Sequence, residues 1–174
     1  MKTLESIKYR VAPVQGGYTD QILQLDLTSL TLSTIDVQPD YRSKYVGGRG
    51  YAIKMIWDGT TKQTRHDSSQ NILVMSSGPL TNELRFPGTG KFVVGAIPPL
   101  TDTLIDSNIG GHFAPLLKMC GFDVLALKGI SKKDVVLMVD GDQGTITIAE
   151  APSFGEEIDS GGLSYGEAPR LFYS

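Results

Sequence analysis

Cysteine is almost absent: the 174-residue chain carries one, Cys120. A single thiol makes no internal disulfide and cannot hold an iron–sulfur cluster, which needs several thiolates. It suits a reducing compartment, and the expected address is the cytoplasm. Histidine is nearly as scarce, with His66 and His112 alone, and no His, Cys, Asp or Glu cluster has metal-ligand spacing. The opening residues, MKTLESIKYR, contain no apolar signal-peptide segment, and no apolar run reaches membrane-spanning length. Basic and acidic residues number 16 and 19 and are interspersed, so no basic face for nucleic acid is expected. Ser77, in SSGPL, lies outside the Gly-x-Ser-x-Gly frame of a nucleophile elbow. The glycine-rich loops match neither the P-loop nor the dinucleotide fingerprint. No general acid, base or nucleophile is advertised.

Glycine is plentiful, at 20 residues with 9 prolines, against 40% hydrophobic and 20% charged residues. That balance describes a globular domain of many short elements joined by tight turns. Residues 1–15 are weakly patterned and read as an extension before the domain. Ile22, Leu23, Leu25 and Leu27, then Leu30, Leu32, Ile35 and Val37, alternate on either side of Thr28-Ser29, which predicts an antiparallel hairpin. Pro39-Asp40 opens a short helix through Tyr45, and YAIKMIW at 51–57 has helical spacing with Ile53, Ile56 and Trp57 on a buried side. Residues 58–71 read as an exposed loop with a solvated His66.

Strands follow at 72–75 and at 91–97, where Gly95 implies a bulge or close backbone approach. Leu104-Ile105 forms a brief strand, and HFAPLLKMCG a helix beginning at or after Phe113, because Pro115 is costly in a helix interior, and ending at Gly121. Strands at 123–128, 134–139 and 145–149 close the pattern, the last two joined by the DGDQG turn. The expected fold is α+β, with predominantly antiparallel sheets and a few short helices.

Three glycine turns adjoin these elements: GGRG at 47–50, PGTGK at 87–91 and SNIGG at 107–111. The last leads into a helix, whose free N-terminal amides would suit an anion, and Lys91 is a fitting counter-charge. Each has a plainer reading. Arg49 can form a structural salt bridge, Lys91 can be simply solvated, and Asn108 can cap a helix. Cys120 reads first as a small core residue and His112 as a partly buried helical histidine.

The succession GGYTDQILQLDLTSLTLSTIDV, YVGGRGYAIKMIW, NILVMSSGPLT, FPGTGKFVV and SNIGGHFAPLLKMCGFDVLALKG resembles the start of the aldehyde ferredoxin oxidoreductase family, collinearly over about residues 16–155. The resemblance implies a tungsten (or molybdenum) ion held by the dithiolenes of two pterins beside a 4Fe-4S cluster. Aldehydes would be oxidised to carboxylates and electrons passed to ferredoxin. Residues 16–155 would be the β-rich base beneath the bis-pterin, and 156–174 a divergent or truncated tail. The same resemblance assigns cofactor-binding roles to Lys91, Asn108, Gly110 and Gly111. The backbone carbonyl of Asn108 would bind a magnesium ion bridging the pterin phosphates. Lys91 stands where the family usually has arginine, keeping the charge but losing the two-pronged geometry. The cluster cysteines and a second phosphate-binding arginine have no counterpart here. Cluster-bearing domains or a partner subunit are therefore expected to complete the enzyme. The rival readings are a non-catalytic remnant or partner-binding module of the same fold and, more weakly, an independent pterin or nucleotide-phosphate binder.

Overall fold

A computed structural model describes residues 2–151, so the tail expected at 156–174 lies outside them. In chain order the elements are β1 (Thr3–Lys8), β2 (Gln21–Asp26), β3 (Thr31–Asp36), α1 (Tyr41–Tyr45), α2 (Arg49–Gly59), β4 (Ile72–Ser76) and β5 (Phe92–Ala96). There follow β6 (Ile105–Ile109), α3 (Phe113–Met119), β7 (Val124–Lys128), β8 (Val135–Asp140) and β9 (Thr145–Glu150). They build a six-stranded sheet in the order β3-β2-β7-β4-β5-β6 and a three-stranded sheet in the order β1-β9-β8. All pairings are antiparallel except β2 with β7. The α+β expectation holds, with that one parallel pair added. No described helix is long and apolar enough to cross a membrane.

The β2–β3 hairpin forms in the register its alternation implies, with Leu25 opposite Leu32 and Leu23 opposite Thr34. As an interior strand, β2 buries both faces. Ile22 joins Val74, Val93, Val124 and Ala126 beneath Tyr51, Ala52 and Ile56 of α2. Leu23 and Leu25 face the other way, against Leu125, Leu117, Phe122 and the inner side chains Ile146 and Ile148 of β9. Full burial of each such side chain stabilises by roughly 1.5–3 kcal/mol. These two layers on one sheet hold the fold together.

Several expectations are corrected. The opening residues are not an extension, because Thr3–Lys8 pairs with β9. A bulge between Thr3 and Glu5 breaks the alternation that would have revealed the strand. The second helix begins at Arg49 and buries Tyr51, Ala52 and Ile56, while Ile53 and Trp57 are 37% and 77% exposed. The missing side chain at Gly95 explains that choice of face: a Cβ there would sit 2.9 Å from the Ile56 Cδ1 and 3.3 Å from the Ala52 Cβ. His66 is half-buried, its Nδ1 3.0 Å from Asp102 Oδ1. Strand β6 runs through Ser107 and Asn108 to Ile109 instead of ending at Ile105.

The three-stranded sheet covers only part of the six-stranded one. Its core contacts fall on β2, β3 and β7. Toward β5 and β6, on the side where Phe92 meets Phe113 at 5.2 Å, Ile105, Ile109, Phe113, Leu116 and Met119 are 41–60% exposed.

Candidate functional site

Antiparallel alternation brings the starts of β2, β5 and β7 and the ends of β4 and β6 to one end of the six-stranded sheet. The glycine turns gather there. Gly17 packs so closely on Pro79 that a Cβ would lie 2.2 Å from its carbonyl oxygen, and a Cβ on Gly90 would lie 2.4 Å from the oxygen of Gly111. The Gly48 amide donates to Ser77 O at 2.9 Å, which fixes the start of α2 to the end of β4. The contacts at Gly17 and Gly90 require glycine because backbone meets backbone.

Three of the four expected site residues sit side by side at the adjoining ends of β5 and β6. Phe92 pairs with Ile109 and Val93 with Asn108, so the next rung sets Lys91 opposite Gly110. A Cβ on Gly110 would be 3.7 Å from the Lys91 Cε and 3.8 Å from its Nζ. Residues 91 and 93 share a face, as do 108 and 110, and it is the face covered by α2. Lys91 and Asn108 are exposed, and Lys91 forms no salt bridge among the described residues. Gly111, at φ 126°, turns the chain away from β6 with open space beside it.

The helix terminus next to this cluster is not the expected one. Asn108 lies within β6 and caps nothing; α3 has only seven residues and starts beyond His112. The nearby terminus is that of α2, where Gly48 lies against Val93 Cγ2 at a would-be Cβ distance of 3.8 Å. No side chain caps α2, and its first turn holds no acidic residue; of its leading amides, that of Gly50 donates to Gly47 O at 3.1 Å. Arg49 makes the salt bridge of the plainer reading, Nη2 to Asp106 Oδ2 at 2.9 Å.

Beneath the rim lies a pair that the sequence reading missed. Lys118 and Asp123 are ion-paired with side chains 0% and 1% exposed. The Lys118 ammonium also donates to Gly17 O at 2.9 Å and Gly78 O at 3.3 Å. Asp123 Oδ2 accepts the amides of Thr19 at 3.0 Å and Asp20 at 2.8 Å. The only hint in the sequence is a lysine set directly after Leu116-Leu117 on a seven-residue helix. The hydroxyls of Thr19 and Tyr51 are buried without a partner, and burial, first among the causes, pushes the Tyr51 phenol upward.

Cys120 is part-buried, and burial raises its thiol; it lines an apolar groove with Leu116, Leu137 and Val139. His66 lies at the other end of the sheet, where its hydrogen bond to Asp102 holds that carboxyl below its usual range. No group of three or more metal-ligating side chains exists among the described residues. The rim instead offers a free ammonium, amides at an uncapped helix terminus and open glycines, a donor set that fits phosphate oxygens.

The family described as aldehyde ferredoxin oxidoreductase, N-terminal domain, matches residues 22–159. A tungsten-containing aldehyde ferredoxin oxidoreductase of Pyrococcus abyssi is 29% identical over 123 residues, which cover 71% of this chain and 20% of that protein. The WOR-like subunit of an aliphatic sulfonate oxidoreductase of Pyrococcus furiosus is 26% identical over 141 residues, 79% of this chain and 22% of that one. Among solved structures, the active site complex BamBC of benzoyl coenzyme A reductase, with 1,5 dienoyl-CoA, superposes with a TM-score of 0.73 at 28% identity. That match covers 78% of this chain and 20% of the other. The chain therefore spans about a fifth of the length of these relatives.

Proposed function

This chain belongs to the aldehyde ferredoxin oxidoreductase family, in its N-terminal domain, and from that premise we propose that it binds the phosphates of a bis-pterin cofactor at the glycine-lined end of its six-stranded sheet. The observation that carries the reading is the juxtaposition of Lys91 and Gly110 beside Asn108, next to the uncapped start of α2. Lys91 supplies the charge. Gly110 and Gly111 allow close approach, and the α2 amides add partial positive charge. The backbone carbonyl of Asn108 would be a suitable hard oxygen ligand for magnesium.

The bound cofactor would supply a redox-active tungsten or molybdenum ion for aldehyde oxidation in a cytoplasmic enzyme. In that reaction the rim residues Lys91, Asn108, Gly110 and Gly111 would hold and orient the cofactor. The base domain takes in β1 as well as the span 16–155. The 4Fe-4S cluster, the aldehyde cavity and the route to ferredoxin belong to further domains or a partner subunit, and the exposed apolar side chains beside β5 and β6 support that division. The same face favours the second reading, a cofactor-free partner-binding module.

Metal and pterin analysis of protein purified without oxygen from its native host separates the two. Tungsten or molybdenum with pterin and a cysteine-bearing partner is expected. Folded protein with neither metal nor pterin would leave only the partner-binding module. With inorganic pyrophosphate as a probe, Lys91→Ala should weaken binding about tenfold, the loss of one charge-assisted contact, without lowering Tm.

A further inference from the structure

A buried ion pair is a poor choice for stability, because apolar side chains of the same volume fill the space without desolvating two charges. What Lys118 and Asp123 provide instead is direction. An ammonium has three donors, and all three are used: one on Asp123, one on Gly17 O and one on Gly78 O. Asp123 extends the connection on every side. Its second oxygen holds the amides of Thr19 and Asp20. Its own amide donates to Gln21 O at 2.9 Å, and its carbonyl accepts Ser77 N and Ser77 Oγ, each at 3.0 Å. Three segments distant in sequence are thereby tied at one point: the turn before β2, the turn after β4 and the start of β7.

From that point hydrogen bonds lead directly to the rim. Gly78 O, held by Lys118, also accepts the amide of Thr81 at 3.1 Å. Thr81 Oγ1 accepts the Gly78 amide at 3.2 Å and donates to Lys91 O at 3.4 Å. The next amide, of Asn82, donates to Thr89 O at 3.2 Å. Lys91 directly precedes β5 and lies beside Gly110.

We propose that Lys118 and Asp123 are positioning residues of the phosphate site, acting through the Gly78–Thr81 turn to set the place of Lys91. The functional part of this inference rests on the reading that Lys91 meets phosphate; the mechanical part does not. The experiment measures both on the full chain. Lys118→Met with Asp123→Leu replaces the pair by apolar groups of similar volume. The amides of Thr81 and Asn82 are expected to exchange hydrogen about fivefold to tenfold faster, the net loss of one hydrogen bond, while β2 and β7 amides keep their rates. Pyrophosphate affinity is expected to fall about tenfold at unchanged Lys91. Equal exchange at Thr81 and Asn82, or acceleration spread uniformly over β2, β4 and β7, overturns the proposal. If the double variant does not fold, Thr81→Val cuts the connection above the buried pair. Faster exchange at Gly78 and weaker pyrophosphate binding are then expected, and unchanged values overturn it. Should wild-type protein bind no pyrophosphate, the phosphate reading fails, and exchange alone decides whether the pair positions the turn.

Discussion

Gly90 and Gly78 occupy neighbouring turns, yet substitution should treat them very differently. A Cβ on Gly90 would press against the Gly111 carbonyl at 2.4 Å, whereas at Gly78 nothing lies within 4 Å. Neither has a positive φ, so the contrast is one of space and not of backbone strain. Gly90→Ala is expected to cost about 1–3 kcal/mol and Gly78→Ala less than about 0.5 kcal/mol, read from urea midpoints at constant m. Tyr9 makes a second test at this scale. Its hydroxyl donates to Cys120 O at 2.9 Å, and burial first, with Cys120 and Asp140 adding, pushes the phenol up to about 12. A group whose pKa is higher folded than unfolded stabilises fully below its unfolded value, near 10, and loses that contribution as pH rises to about 12. Tyr9→Phe should therefore lose about 1 kcal/mol at neutral pH. The gap to wild type should close between about pH 10 and 12. A gap that stays constant across that range would remove the link to ionisation.

Among the elements, the β2–β3 hairpin rests on Asp26. Its Oδ1 accepts the amides of Thr28 at 2.9 Å and Ser29 at 3.2 Å, and Lys128 lies 3.6 Å away. Burial raises the carboxyl, but the Ser29 and Thr28 amides and Lys128 outweigh it, and the group titrates below its usual range. Such a group stabilises above its unfolded pKa and ceases to as pH falls through the folded one. Asp26→Asn should cost about 0.5–1 kcal/mol near pH 7, and Tm curves of variant and wild type should converge in acid. Elements of this kind were legible in the sequence because their information is local. Alternation on both sides of Thr28-Ser29, the DGDQG turn and the Pro115–Gly121 frame each specify their own piece of chain. The elements that were misread depend on distant partners. The helical periodicity at 51–57 allowed Trp57 inward as readily as Tyr51, and only the vacancy at Gly95, on another strand, selects the face. Strand β6 is polar along most of its length and exists because β5 offers it a ladder. The candidate site divides in the same way. Lys91, Asn108, Gly110 and Gly111 are candidates named by resemblance, but the α2 terminus and the Lys118–Asp123 pair arise from topology, since their parts come from four separate stretches of the chain.

At the scale of the whole molecule, the mismatch between a six-stranded sheet and its three-stranded cover decides how the protein should behave alone. Strand β8 is an edge of the smaller sheet, and a groove beside it, lined by Met75, Leu127, Leu137, Val139, Phe113 and Leu116, runs between it and α3. Leu116, which lines this groove, and Met119, also on α3, are 56% and 60% exposed. Isolated apolar side chains on a surface are ordinary, but a contiguous set beside an open edge invites association. The isolated chain should therefore bind an apolar fluorescent dye while fully folded and self-associate as concentration rises. Leu116→Ser with Met119→Ser tests the origin of both properties. If these side chains face solvent, the double variant keeps its stability within about 0.5 kcal/mol per site, while dye fluorescence and self-association fall together. A large drop in Tm would instead mean that other parts of the chain already pack on this face. The surface would then be part of the core, and the proposed docking of further domains or a partner subunit would move to the opposite edge, along β3.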